Sequence, residues 1–456
     1  MIKDKKLFYI NALAIAVPMI LQALITNFVS MIDNIMVGSL GTAPMNGVSI
    51  ANQFIFVFNI TMFGAVSGAG IFGTQFFGKK DADGQKYTVR FRLITSAIII
   101  GIGAAIFHFF GPELIKLFIS SKDEQNLATN TLTNGKEYLD IMILGLIPFG
   151  IGQAYSSVVK ECGETRIPMI GSMAAIGINV LLDYGLIFGK LGMPCLGVKG
   201  AAIATVVAKY VEALVVIIWA HLNPDRNPYI EGLYKGFYMP IKLVKQICIK
   251  GLPLLVNEFL WSLGMSVIAQ CYSVRGLEVV GARNISSTLV NLFNVIFIQL
   301  GASIGIIVGA RLGAGEHALA KESARLLTRF STIVTSLISI VMIPIAFVFP
   351  LLYRTEPSIQ KLATFYIIVQ AIAMPIWSYT NACYFTLRSG GRTGITFLFD
   401  FVYTWFIMIP LAFVLTHYTN MEIHMLLIVV TYSEIIKATV GFFMVRSGIW
   451  INTIVG

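Results

Sequence analysis

The chain is short of charge. Only 12% of its 456 residues are Asp, Glu, Lys or Arg, against 56% hydrophobic. Soluble domains carry about 25% charged residues, so no soluble fold suits most of this length. Reactive motifs are missing as well. The five cysteines (Cys162, Cys195, Cys248, Cys271, Cys383) are scattered, with no CxxC and no metal spacing, and their odd number gives no disulfide framework. They read as small apolar fillers. The five histidines form no HExxH pair, and no nucleophile elbow exists. An enzyme, even a membrane-embedded one, would lack its parts. The run 73–80 (GTQFFGKK) nearly spells a P-loop, but Lys80 stands where a Ser or Thr would hold magnesium, and no strand precedes it. Nucleotide binding, and with it ATP as energy source, is excluded. The net charge of +10 would suit nucleic acid only on a folded basic surface, and there is none. No cofactor is called for.

Long apolar runs are what the chain has instead. Spanning a bilayer takes about 20 apolar residues per helix. Twelve such stretches occur, near 10–38, 48–76, 92–112, 138–159, 167–189, 198–221, 249–273, 284–310, 328–351, 362–387, 394–416 and 424–445. They are too long and too uniformly apolar for barrel strands. In lipid, a helix satisfies its own backbone. The interruptions at 111–137 and 222–248 are too short to bury a core of their own. The expectation is an all-α membrane protein, a monomer, in contact with lipid along its whole length. The first run is too long for a signal peptide.

Lysine and arginine set the orientation. If the loops alternate sides, 22 of the 33 fall on the side of the N-terminus and nine on the other, with Lys209 and Lys437 inside spans. The positive-inside rule then places both termini in the cytoplasm of a multi-pass cell-membrane protein.

The chain also repeats. At a shift of 235, Pro18 meets Pro253, Gly41 meets Gly276, Gly78 meets Gly313, Asp81 meets Glu316 and Lys86 meets Lys321. At 227, Pro148 meets Pro375 and Gly163 meets Gly390. Two pseudo-symmetric bundles of six spans follow, at 1–222 and 249–456, joined by a cytoplasmic linker at 223–248. Six is even, so both bundles enter from one side. That predicts parallel repeats about an axis normal to the membrane, with substrate held between them.

Acids inside spans are the candidate functional groups. A carboxylate at a helix centre costs about 2.5–3.5 kcal/mol on insertion scales, and normally lines a cavity. Asp33 interrupts the apolar run 7–37. Asp183 lies in the fifth span, with Asn179 one turn earlier, and Thr205 lies in the sixth. Counting from the predicted helix ends, Asp33, Asp183 and Thr205 sit about 10 Å below the outer face. Two carboxylates, an amide and a hydroxyl at one depth suit a hard cation such as Na+, or a shared proton. In the second bundle, Asn257 and Glu258 follow Pro253 near the midplane. Asp400 in the eleventh span is a further candidate for the same cavity. Pro18 is a candidate kink in the first span. Lys209 with Glu212, and Glu434 with Lys437, are three apart and can neutralise each other locally. Eighteen Met and 32 Phe suit an adaptable apolar cavity.

Six motifs then resemble the multidrug and toxic compound extrusion (MATE) family along essentially the whole chain. They are VP…MIDNIMVGSLG (17–41), QFFGKKD (75–81) with its echo ARLGAGE (310–316), CGETRIPM (162–169), NVLLDYGLIFG (179–189) and GAAIAT (200–205). The resemblance implies twelve helices in two lobes forming a V. It implies antiport of cationic, amphipathic organic molecules against Na+ or H+. By position, Asp33 matches the first-helix acid and Pro18 its kink, while Asn179, Asp183 and Thr205 match the rest of the N-lobe cation site. Glu258 matches the seventh-helix acid of NorM-like members. Those members also place an acid on the tenth helix, where this chain has neither Asp nor Glu between 362 and 387, so coupling is expected through the N-lobe. The rival expectation is a flippase for lipid or lipid-linked saccharide. A flippase would want a basic cavity for a pyrophosphate head, whereas the cavity candidates here are acidic.

Overall fold

The computed structural model describes residue 2 and residues 4–118, 125–236, 238–353 and 355–455. Lys3, Lys122 and Arg354 of the charge count lie outside these. Twelve spans long and apolar enough to cross a membrane occur among the described residues. The first ten are single α-helices: α1 (Lys5–Gly38), α2 (Thr42–Lys79), α3 (Ala82–Lys116), α4 (Gln125–Glu161), α5 (Arg166–Phe188), α6 (Val198–Leu222), α7 (Ile241–Ser273), α8 (Leu277–Gly313), α9 (His317–Val348) and α10 (Pro357–Ser389). The eleventh joins α11 (Thr393–Tyr403) through a π-helical turn, Thr404–Met408, to α12 (Ile409–His417). The twelfth is α13 (Ile423–Tyr432) and α14 (Glu434–Ser447), interrupted at Ser433.

Most of these helices outrun their apolar windows. A 35-residue helix such as α3 is ~52 Å long, well beyond a hydrocarbon core of ~30 Å. Its polar ends therefore project past the lipid. Pro18 and Pro253, equivalent in the repeat, both lie inside continuous helices, α1 and α7.

The chain divides into two compact units. One, here the N-unit, holds residues 17–73 and 81–248; the other, the C-unit, holds 249–456 together with 1–16 and 74–80. The N-unit core joins Val37, Val48, Phe58, Met62, Phe107, Tyr138, Leu139, Leu146, Ile187 and Val206, drawn from α1 to α6. A second apolar cluster sets Tyr229 and Leu233 of the 222–248 segment against Val89, Tyr155 and Val216. Arg90 ties that segment down, donating to the carbonyls of Leu233 (2.8 Å), Tyr238 (2.9 Å) and Gly232 (2.8 Å). The C-unit has three apolar clusters, centred on α8 and α10 and the helices around them.

Inside the C-unit, the end of α2 crosses the end of α8. A Cβ added at Gly78 would collide with the Ala310 carbonyl, and one at Gly313 with the Gln75 carbonyl. Gln75 and Ala310 are themselves related by the 235 shift, as are Thr74 and Gly309, which also touch. Reciprocal contact of this kind is what a two-fold relation between repeats produces. The C-terminal segment closes over the same crossing. Gln75 Nε2 donates to the carbonyls of Ser389 (3.0 Å) and Asn452 (3.2 Å), and Ile454 N donates back to Gln75 Oε1 (2.8 Å).

Candidate functional site: a buried carboxylate pair in the N-unit

Close helix crossings position the N-unit group. Gly200 near the start of α6 lies so close to Leu186 of α5 that a Cβ would come within 2.6 Å of its backbone. This contact holds the Asn179 and Asp183 turns of α5 beside Thr205. Gly47 of α2 similarly meets the backbone of Gly135 and Thr131 on α4, again at 2.6 Å from an added Cβ. The turns that follow carry Asn52 and Tyr138, whose hydroxyl donates to Asn52 Oδ1 at 3.3 Å.

The four residues expected from sequence fall in one region. Asp183 is 1% exposed and Asn179 3%, while Asp33 and Thr205 are half-buried. Asp33 and Asp183 lie within side-chain interaction range of each other, and Asn179 is near enough to act on Asp183. Tyr138 is within the field of both carboxylates and within reach of Thr205. Yet Asp33 Oδ1, both oxygens of Asp183 and both polar atoms of Asn179 are buried with no hydrogen-bond partner. Ionised carboxylates only accept, so the two acids cannot satisfy each other without a proton or cation between them. Buried polar groups are nearly always paired, and an orphaned set of this size calls for an ion or a functional role. The Thr205 hydroxyl donates to its own helix, at the Ala201 carbonyl (3.0 Å). Its lone pairs remain to accept a ligand.

Below this group lies a second polar level that sequence reading missed. Gln22 Nε2 of α1 donates to Ser172 Oγ of α5 at 2.8 Å, and Ser172 Oγ donates to Glu212 Oε1 of α6 at 2.5 Å. Lys209 Nζ donates to Glu212 Oε2 at 2.9 Å. The signal was present: Gln22 precedes Asp33, and Ser172 precedes Asp183, by the same eleven residues.

The C-unit candidates form a different arrangement. Asp400 Oδ1 is held by Lys437 Nζ at 2.6 Å, and its Oδ2 accepts from Asn257 Nδ2 at 3.0 Å. Lys437 also reaches Glu434 Oε1 (3.5 Å), which accepts from Thr380 Oγ1 (3.1 Å). The local Glu434–Lys437 pair read from sequence is therefore the longer of two, and Asp400 is the closer partner. Glu258 accepts a long bond from the Tyr384 hydroxyl (3.4 Å). Tyr384 in turn lies 3.5 Å from the Asn257 amide. Asn257 and Tyr384 thus link Glu258 to Asp400. Every acid in this network has a donor. No group of three or more His, Cys, Asp or Glu placed to hold a metal ion occurs among the described residues.

Known proteins match the chain over most of its length. A family model described as MatE covers residues 18–185 and 253–414; the two segments begin at Pro18 and Pro253, the equivalent prolines of the repeat. The chain is 24% identical over 443 residues to "Probable multidrug resistance protein NorM" of Thermotoga maritima, covering 96% of this chain and 92% of that protein. It is 22% identical over 413 residues to "Probable multidrug resistance protein YoeA" of Bacillus subtilis, at 89% and 87% coverage. In fold it matches the outward-facing conformation of a multidrug resistance MATE family transporter of the MOP superfamily, with a TM-score of 0.85, 17% identity, and coverage of 96% and 95%. It also matches a MOP superfamily transporter from Pyrococcus furiosus whose reverse pocket polarity suggested a different function, with a TM-score of 0.81, 18% identity, and coverage of 96% and 95%. With both halves of a twelve-span helical chain matched by one family model, the protein belongs to the MatE family, the multidrug and toxic compound extrusion transporters, and is a secondary transporter of the membrane rather than an enzyme.

Proposed function

We propose that the chain exports cationic, amphipathic organic molecules in exchange for Na+ or H+, and that the coupling ion binds at Asp33, Asn179, Asp183 and Thr205. One observation carries this reading: the buried oxygens of Asp33 and Asp183 have no donor, beside an equally unpartnered Asn179 amide. Two carboxylates, an amide oxygen and a hydroxyl make an oxygen donor set for a hard ion of low charge, and a proton shared by the two acids would serve as well. Glu258, Asn257 and Asp400 are read as part of the substrate-side chemistry of the C-unit, because Asp400 already has Lys437 as a counter-ion. Both termini are cytoplasmic on the lysine and arginine distribution, so the ion reaches its site from outside.

Binding of an ion drives the conformational exchange only through different affinity for the two states. The acid pair supplies that difference if its two carboxylates are held together with the ion between them in one state and separated in the other. The test is efflux of an organic dye from proteoliposomes with sodium and pH gradients imposed separately. Asp33→Asn is expected to insert normally and to lose gradient-driven export; full export by that variant would sink the reading. Against the flippase alternative, the N-unit candidate group has two unpartnered carboxylates and no unpartnered cation, which favours cationic over pyrophosphate cargo.

A further inference from the structure

Two helices of the N-unit carry polar side chains at matched intervals, and a third links the two levels. Gln22 and Asp33 on α1, like Ser172 and Asp183 on α5, are eleven residues apart. That is three turns, about 16 Å along one helix face. The two levels differ in their chemistry. Gln22, Ser172 and Glu212 form a closed chain of hydrogen bonds, whereas the aspartates lack donors. Helix α6 connects the levels. It places Thr205, Lys209 and Glu212 at i, i+4 and i+7, on one face. Lys209 therefore sits between the acid pair and Glu212, one turn from Thr205. Its ammonium bonds Glu212 Oε2 at 2.9 Å, lies 5.9 Å from the Phe149 ring centre, and acts electrostatically on Asp33. Glu212 has other support. It accepts from Ser172 at 2.5 Å and lies in the field of Lys160. It can release Lys209 without becoming an isolated buried charge.

We propose that Lys209 is a tethered cation that alternates between Glu212 and the Asp33–Asp183 pair, competing with the coupling ion for those carboxylates. The inference rests on reading that pair as the coupling site. With the ion bound, Lys209 stays on Glu212. When the ion leaves, two desolvated carboxylates face each other, and the flexible four-carbon stem of a lysine can cover the single turn to Thr205 and its neighbours. Insertion of the ammonium stabilises the ion-free site and hastens ion release. The apparent ion affinity is lowered by the fraction of time Lys209 occupies the pair.

A static ion pair and a competing one predict different signs. Ion affinity is measured on the purified full-length chain in detergent, with radioactive sodium and with a pH dye in sodium-free buffer. Lys209→Met removes the competitor and is expected to tighten binding about 5-fold or more while slowing dye export. Glu212→Gln frees Lys209 for the aspartates and is expected to weaken binding by a similar factor. Structural damage would move both variants the same way. Lys209→Gln must repeat the methionine result, and stands in for it if that variant does not purify. If Asp33→Asn abolishes ion binding but Lys209→Met and Glu212→Gln shift it in one direction or not at all, the inference is overturned and the site reading stands. If Asp33→Asn binds ions like the unaltered chain, the site reading fails, and this inference falls with it.

Discussion

Each half of the chain carries one lysine in the interior of its sixth span, and the two are used differently. Lys437 in the C-unit is gripped by Asp400 at 2.6 Å and by Glu434 at 3.5 Å, and stacks 5.4 Å from the rings of Phe399 and Tyr403. Among the described residues Lys209 in the N-unit is ion-paired with Glu212 only, while Asp33 Oδ1 and both oxygens of Asp183 are buried without a partner. A buried charge with several partners is a fixture, since its removal leaves those partners uncompensated. A buried acid without a partner is costly, and persists where an ion comes and goes. The same pair of half-chains thus holds a closed charge network on one side and an open one on the other.

The contrast can be tested through stability first. Lys437→Met strands Asp400 and Glu434, and is expected to cost about 3–5 kcal/mol, read as a large drop in the melting temperature of the detergent-solubilised chain. An unchanged melting temperature would mean the C-unit network is not the fixture described. Asp183→Asn should do the opposite. It neutralises an unpartnered carboxylate, so stability holds or rises, while ion affinity falls roughly 5- to 150-fold. Loss of stability on the scale of Lys437→Met would erase the distinction between the halves.

Two smaller effects sharpen the comparison. Gly78→Ala and Gly313→Ala each push a methyl into a backbone carbonyl across the same crossing. Overpacking of this kind costs about 1–3 kcal/mol, and a two-fold relation requires similar losses from both variants. Clearly unequal melting temperatures would show that the repeat is no longer symmetric there. Thr205→Val is expected to be mildest. Its hydroxyl already donates to Ala201, so only an accepting contact to the ion is lost, about 0.5–1.5 kcal/mol. An ion-affinity loss equal to that of Asp183→Asn would make Thr205 a principal ligand.

Much of the fold was legible because hydropathy is a local property. The twelve spans needed only the length of each apolar run, and the shift of 235 paired Gly78 with Gly313, two positions that make reciprocal contacts in the fold, Gly78 with Ala310 and Gly313 with Gln75. Asp33, Asn179, Asp183 and Thr205 stood out because polar groups deep in an apolar helix are expensive, and helix-end counting put them at one depth. Tyr138 and Asn52 gave no such signal. A tyrosine or asparagine is unremarkable in a span, and these two meet only because Gly47 lets α2 press against Gly135 of α4. The expected pairing of Lys437 with Glu434 forms, at 3.5 Å, but a second and closer partner went unseen for a related reason. The i,i+3 rule pointed to Glu434 on the same helix, while the closer carboxylate came from Asp400, 37 residues away in the chain.

By itself the amino-acid order determined how many times the chain crosses the bilayer, that its halves are copies, and which buried groups carry the expense of polarity. Only the folded structure decided which of those groups meet. Apolar length and spacing act along one helix, whereas the pairing of charges depends on how helices rotate and cross. In lipid, those crossings are set by small residues that let backbones approach, such as Gly200 against Leu186 and Gly47 against Gly135. That is why the acids could be found in the sequence, but the donors that Asp400 has and Asp183 lacks could not.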